Sequence, residues 1–285
     1  MTSNPAGLGY VGTMSNLCLR HLRLAAVIFA PLAGAVAAQD MPSDLVTATL
    51  RPGWRTEAGT QMAALELTLA PGWKTYWRAP GEAGIPPEFD WRGSTNVGSV
   101  VYHWPKPEVF DLNGMRTLVY HDRLVLPVEI TPAAPGQPVS LRAHVALGVC
   151  QEVCVPATVD VTGDLPLEGT TDPEIRAALS QMPESGKAAG LRGAHCAAEP
   201  IRDGLRLTTR LDLPAIGPDE TAVIELSDRA VWVSQADIRR EGGTLTAVAD
   251  LVPPNAKPFA LDRSSITITV FGDRGRVVEV QGCTG

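Results

Sequence analysis

From residue 40 onward, strand-like runs in which apolar and polar side chains alternate recur along the chain, and from Arg192 turn signals separate them roughly every 8–12 residues. The alternation is clear in Leu65, Leu67 and Leu69, and again in Val155, Ala157, Val159 and Val161. Successive side chains of a strand point to opposite faces, so a period of two buries one face and leaves the other for solvent or a second layer. Strands this short need two sheets closed over a shared core. An all-β chain of two β-sandwich domains joined by a linker with a short helix is therefore expected.

The strand-like runs of the first domain include Ala64–Leu69, Leu124–Ile130, Leu141–Leu147 and Val155–Val161. Those of the second are Leu205–Leu211, Thr221–Leu226, Ala230–Ser234, Thr244–Leu251, Ser265–Phe271 and Arg276–Val280, with Asp203-Gly204 and Gly242-Gly243 among the turns. Between the two sets, Thr171-Asp172-Pro173-Glu174 reads as a helix start, with a capping acid before a proline in the first turn. About two turns follow before Pro183 and Gly186 stop the helix. The expected domains are 39–164 and 192–285, with 165–191 as the linker, and no internal repeat is found.

The N-terminus reads differently. Arg20 and Arg23 precede Leu24–Ala38, fifteen uncharged residues that end with small side chains at Val36 and Ala38, so residues 1–38 are expected to be a secretory signal peptide cleaved after Ala38. A bilayer span needs about 20 residues, and Pro31 interrupts this run. The cleaved protein is expected to be exported to the periplasm and not to span the membrane. With 24 Lys and Arg against 31 Asp and Glu, the chain lacks the basic footprint of a nucleic-acid binder. Its 45% hydrophobic content excludes a disordered chain.

Cys18 leaves with the leader, so four cysteines remain: Cys150, Cys154, Cys196 and Cys283. An even number in an exported chain favours two disulfides. Cys196 opens the second domain and Cys283 closes it. A bond between them encloses about 88 residues and contributes about 4.6 kcal/mol by loop entropy, as a structural disulfide would. Cys150 and Cys154 enclose about five residues, worth about 2 kcal/mol on the same argument, so a purely structural role explains that pair poorly. Three intervening residues fit the tip of a strand–turn–strand unit, where the sulfurs are open to another protein. Thiol–disulfide exchange needs an accessible sulfur with a resolving thiol beside it. Neither cysteine has a cation as a sequence neighbour, so the attacking sulfur is left open, and Glu152 between them would raise a thiol pKa. Soft thiolates also suit Cu(I), but CxxxC copper sites normally add a histidine, and the position four after Cys154 is Thr158.

The segment Gly148-Val149-Cys150-Gln151-Glu152-Val153-Cys154-Val155-Pro156 resembles the redox loop of the N-terminal periplasmic domain of DsbD/ScsB-type thiol:disulfide interchange proteins. The run from Pro71 to Pro87 (PGWKTYWRAPGEAGIPP) and His103-Trp104-Pro105-Lys106-Pro107 are similar to the same family, particularly its ScsB-like branch. The resemblance covers most of Asp40–Asp164. It implies immunoglobulin-like sandwiches, a periplasmic location, and a two-cysteine centre at Cys150 and Cys154. It also implies thioredoxin-like partners or a separate membrane electron donor, because the relatives' membrane and thioredoxin-like domains have no counterpart in this sequence. The family shields its cysteines with a capping loop. Nine of the fifteen aromatic residues fall between Trp73 and Tyr120, and Trp73, Tyr76 and Trp77 are the candidate shields; sandwich core is the other reading for Trp73, Trp77 and Trp91. Asp111-Leu112-Asn113-Gly114 reads first as a turn.

The leading expectation is a thiol:disulfide interchange module of the protein-disulfide reductase type, without cofactor or metal. The alternatives are a copper-binding or copper-tolerance protein using the same thiols, and a non-catalytic interaction module with two structural disulfides. There is no GxSxG, Walker or HExxH motif to support hydrolase or nucleotide chemistry.

Overall fold

A computed structural model describes Leu45–Gly285 apart from Asn113; the leader expected at 1–38 lies outside the described residues. Ten strands come first: β1 (Val46–Arg55), β2 (Gln61–Leu69), β3 (Lys74–Gly81), β4 (Glu88–Asp90), β5 (Val97–Tyr102), β6 (Glu108–Leu112), β7 (Met115–His121), β8 (Arg123–Pro132), β9 (Val139–Cys150) and β10 (Cys154–Leu165). They form a sheet of order β1-β2-β8-β5 and a second of order β10-β9-β3-β7-β6, with β4 also pairing on β9. The inner faces close over one core in which Leu65, Leu67, Trp77, Leu118, Leu126, Val128 and Val145 are almost fully buried. The described residues are all-β apart from short helical segments, as expected.

Strand β2 serves two layers. Leu65, Leu67 and Leu69 face the core, while Met62 and Ala64 on the other face are buried under the helix α1 (Pro173–Ser180). That helix starts where the sequence indicates: the Asp172 side chain accepts from the N–H groups of Glu174 at 2.7 Å and Ile175 at 3.1 Å, and Pro173 occupies the first turn. Its Ile175 is fully buried against Met62 and Ala64.

The rest of the chain adds β11 (Glu184–Ser185), β12 (Ala194–Ile201), β13 (Gly204–Asp212), β14 (Thr221–Glu225), β15 (Trp232–Val233), β16 (Asp237–Glu241), β17 (Thr244–Val252), β18 (Thr267–Phe271) and β19 (Val277–Gln281). Sheets of order β11-β19-β18-β14 and β12-β13-β17-β15 enclose a second core, with Leu207, Leu211, Leu245, Ile266 and Ile268 at its centre. The turn signals fall where they belong, with Ile201 pairing with Gly204 across Arg202-Asp203 and Glu241 pairing with Thr244 across Gly242-Gly243.

The two sandwiches share buried surface. Phe271 and Val277 join the first core, and Phe271 meets Trp77 edge-on with ring centroids 5.6 Å apart. Arg78 lies over the Trp77 ring and donates to Glu225 at 2.9 Å and to Glu279 at 2.5 Å. The Cys196–Cys283 disulfide, with Cα atoms 5.6 Å apart, fastens β12 to the C-terminal segment, where the Cys196 N–H also donates to the Thr284 carbonyl.

Candidate functional site

Strands β9 and β10 pair without a break from Val139–Leu165 to Cys150–Cys154. The Gln151-Glu152-Val153 turn closes the hairpin, and its last pair is joined as a disulfide with Cα atoms 4.1 Å apart. Along β9, Val145, Leu147 and Val149 face the core, so Cys150 and Gly148 lie on the outer face of the sheet.

An outer-face side chain at a sheet end would ordinarily be open to water, yet Cys150 is 1% exposed. Its cover comes from β3, β7 and β6, where Tyr76, Val119 and Phe110 pack with it in a small apolar cluster separate from the main core. The Tyr76 hydroxyl donates to Cys150 Sγ at 2.9 Å and lies 3.1 Å from Cys154 Sγ. Burial pushes the Tyr76 phenol above its ordinary pKa, so it keeps its proton and stays a donor. Cys154, by contrast, is exposed, as is Val153 beside it at 70%. The two sulfurs of one bond therefore differ sharply in access.

The segment between β3 and β4 leans on the same face. A Cβ built on Gly148 would lie 2.7 Å from Ile85 Cβ, and one on Gly84 would lie 2.6 Å from the Tyr76 ring. Both glycines thus let the Glu82–Pro87 segment lie flat over Tyr76 and the end of β9. Beneath, the Thr75 hydroxyl donates to the Gly148 carbonyl at 2.9 Å in a buried bond that fixes β3 against β9.

Of the three candidate shields, only Tyr76 reaches the sulfurs. Trp77 is fully buried and faces the core, because residues 76 and 77 point to opposite faces of β3. Trp73 packs partly buried against that same core. Phe110, which no local sequence pattern marks, also covers the site. Its position follows only once β6 is paired with β7 across the turn signal at residues 111–114.

The cation absent from the cysteines' sequence neighbours comes from another strand. Lys74 is the pairing partner of Cys150 across β3 and β9. Its ammonium donates to the Gln151 carbonyl at 2.8 Å and lies 4.8 Å above the Phe110 ring. Burial holds the Lys74 pKa below the usual lysine value. Across the sheet His121 pairs with Lys74 on its other side, its ring edge-on to Phe110 and its Nδ1 3.1 Å from Glu108. Among the described residues, no cluster of three or more His, Cys, Asp or Glu side chains is arranged to hold a metal.

The site is thus a disulfide with one exposed sulfur, one sheltered sulfur, and a phenol hydroxyl within hydrogen-bonding distance of both. Residues 47–166 match the family described as "Thiol:disulfide interchange protein DsbD, N-terminal". No curated protein sequence matches the chain. Among solved structures, the N-terminal periplasmic domain of ScsB from Proteus mirabilis is similar at 24% identity with a TM-score of 0.56, over 84% of this chain and 92% of that one. The reduced N-terminal domain of DsbD from Neisseria meningitidis matches at 20% identity with a TM-score of 0.26, over 45% of this chain and 90% of that one. The ScsB likeness takes in too much of the chain to lie in one sandwich, so it supports the fold of both. No helix among the described residues is long and apolar enough to cross a membrane. Residues 47–166, with Cys150 and Cys154 paired at the end of one hairpin, are therefore similar to the N-terminal domain of DsbD-type thiol:disulfide interchange proteins.

Proposed function

We propose that the protein is a periplasmic module that passes reducing equivalents between partner proteins through the Cys150–Cys154 pair. The observation that carries the reading is the asymmetry of access: Cys154 is exposed, while Cys150 is 1% exposed and hydrogen-bonded to Tyr76. Exchange runs through attack of a thiolate on a disulfide sulfur. A thiolate of a thioredoxin-like donor bonds to Cys154 Sγ, the Cys150–Cys154 bond breaks, and its electron pair leaves on Cys150 Sγ. The donor's second thiolate then attacks its own sulfur in the mixed disulfide and frees Cys154, leaving the donor oxidised and the pair reduced. Towards an oxidised target the sequence reverses, with Cys154 attacking and Cys150 resolving. Tyr76 donates to whichever sulfur carries the charge. In this reading residues 1–38 are the cleaved export leader, 39–164 the redox domain, 165–191 the linker, and 192–285 a second sandwich held by Cys196–Cys283.

The test is the reduction potential of the Cys150–Cys154 pair in the purified protein. A value of roughly −150 to −270 mV, the span of exchange proteins, together with reduction by a thioredoxin-like donor, supports the module. A value below about −300 mV with no exchange makes the pair a structural clip and overturns the reading.

A further inference from the structure

The exchange steps leave the buried ammonium of Lys74, the strand partner of Cys150, without a role. Its side chain is 8% exposed, an environment in which a lysine is normally matched to an acid. Its polar contact is instead the Gln151 carbonyl, at the turn between the cysteines, and its other contact is the Phe110 ring. Lys74 and Cys150 are paired positions on neighbouring strands, which sets their Cβ atoms about 4.5–5.5 Å apart on one face.

The acids and bases nearby are engaged elsewhere. Glu108 lies against His121 Nδ1 at 3.1 Å, and Asp122 accepts from the Gly72 N–H at 2.9 Å. Further along β3, Arg78 is taken up by Glu225 and Glu279, and Asp111 lies 3.8 Å from Arg116 across the β6–β7 pair. Glu152 stands exposed at the hairpin tip, and Tyr76 is a neutral donor. Among the described residues this buried ammonium faces no carboxylate, which is costly unless an anion forms beside it during the protein's working cycle.

We propose that Lys74 is the counter-ion of the Cys150 thiolate. When a partner thiolate bonds to Cys154 Sγ and the disulfide breaks, the electron pair leaves on Cys150 Sγ, and the Lys74 ammonium faces the charge that forms there. In the reverse step the same ion pair dissolves as Cys150 attacks Cys154 Sγ and the partner leaves as a thiolate. The cation lowers the barrier to opening the disulfide and keeps the sheltered thiol ionised for resolution. Tyr76 adds a hydrogen bond from the same strand, two residues on.

The exchange role rests on the function proposed above, but the ion pair can be read without it. In the reduced protein carrying Cys154→Ser, the thiolate absorbance of Cys150 is titrated with pH. Lys74→Gln keeps a donor for the Gln151 carbonyl and removes the charge, and Lys74→Met keeps the stem volume if the glutamine variant does not fold. Either raises the Cys150 midpoint by about one unit, a tenfold loss of thiolate below the midpoint, and Lys74→Arg leaves it near the parent value. With both cysteines present, exchange with a reduced thioredoxin-like donor slows about tenfold in Lys74→Gln and recovers in Lys74→Arg. Equal midpoints in the parent and in the charge-free variant overturn the ion pair. A shifted midpoint in a protein that exchanges with no donor upholds the ion pair and sinks the interchange reading instead.

Discussion

Tyr76 places its hydroxyl oxygen 2.9 Å from Cys150 Sγ and 3.1 Å from Cys154 Sγ, so one phenol addresses both ends of the same disulfide. A disulfide sulfur is a weak acceptor and a thiolate a strong one. The bond therefore gains strength when the pair opens, which is the condition for it to favour opening. A hydrogen bond to a charged group contributes about 1.5–3 kcal/mol. Tyr76→Phe keeps the ring packed on Cys150 and removes only the donor. The expected result is an apparent thiol pKa raised by about one to two units and exchange slowed roughly tenfold or more, with little change in melting temperature. An unchanged thiol titration in Tyr76→Phe would show that the contact does not act on the thiolate.

The contrast in access predicts how single-cysteine variants behave. With Cys150→Ser, the remaining Cys154 is exposed and should be alkylated quickly by iodoacetamide and trapped as a mixed disulfide by a thioredoxin-like partner. With Cys154→Ser, the remaining Cys150 lies under Tyr76 and Phe110 and should be alkylated at least tenfold more slowly, the rate following exposure and thiolate fraction. Equal alkylation rates for the two variants at matched thiolate fraction would contradict the assignment of Cys154 as the attacked sulfur.

Much of this arrangement was legible in the sequence, and the part that was not has a common cause. The long β9–β10 hairpin reads from its alternation and from the CxxxC spacing, because both are local. Helix α1 reads from Asp172 and Pro173 for the same reason. Strand β3 does not: Lys74–Gly81 has aromatic, basic and proline residues in place of an alternating pattern, since its inner face meets the core at Trp77 while its outer face meets the cysteines, the covering segment and the second sandwich. A strand buried on both sides loses the period of two that announces strands. Lys74, Tyr76 and Arg78 all sit on that strand. Their roles follow from the pairing of β3 with β9 and β7, a non-local fact that no window of residues contains. Trp73 and Trp77 illustrate the converse, since aromatic enrichment near a motif does not say which face of a strand each ring takes.

The covering segment predicts a gain of promiscuity. Gly148 has no side chain where Ile85 lies, and a methyl group there would sit 2.7 Å from Ile85 Cβ, closer than carbon atoms approach. Gly148→Ala should therefore lift Glu82–Pro87 away from Tyr76 while β9 keeps its ladder. Reduction of the Cys150–Cys154 bond by glutathione, slow in the parent, should speed up several-fold. The Cys196–Cys283 bond should be unaffected. If glutathione reduces parent and variant alike, the segment does not shield the pair.

Acid should loosen the helix before the sandwiches. Arg51 bridges Glu66 at 2.6 Å and Asp172 at 3.1 Å, and Arg123 bridges Glu66 and Glu174, so α1 is tied to β1, β2 and β8 through charge. Burial opposes ionisation of Asp172, but the N–H groups of Ile175 and Glu174 and the Arg51 side chain outweigh it and hold its carboxyl below the ordinary value. Burial of Glu66 is likewise outweighed by Arg123 and Arg51. A carboxyl with a lowered folded pKa contributes its stability fully above the unfolded pKa, near 4, and loses it as pH falls through the folded value. Stability should hold from pH 7 to about 5 and decline below about 4. Asp172→Ala should cost about 1 kcal/mol at pH 7 and flatten part of that decline, as read by urea unfolding at several pH values. Parallel acid profiles for parent and variant would remove Asp172 from the account.

Arg78 lies where the two sandwiches meet. Its guanidinium stacks on Trp77 and donates to Glu225 and Glu279, and although burial opposes the charge, these acids drive its pKa upward, so it stays charged throughout any working pH. Removing the cation from such a cluster leaves two carboxylates of which neither is well exposed, at 18% and 33%. Breaking a fully buried pair costs about 3–5 kcal/mol, and partial exposure of the acids lowers that to about 2–4 kcal/mol here. Arg78→Met should therefore lower the melting temperature by roughly 5–15 °C for a chain of this size. Neutralising the acids in the triple variant Arg78→Met, Glu225→Gln, Glu279→Gln should recover part of the loss, because the penalty lies in stranded charge more than in lost attraction. If the triple variant is no more stable than Arg78→Met alone, the contribution of Arg78 is its packing on Trp77 and not its charge.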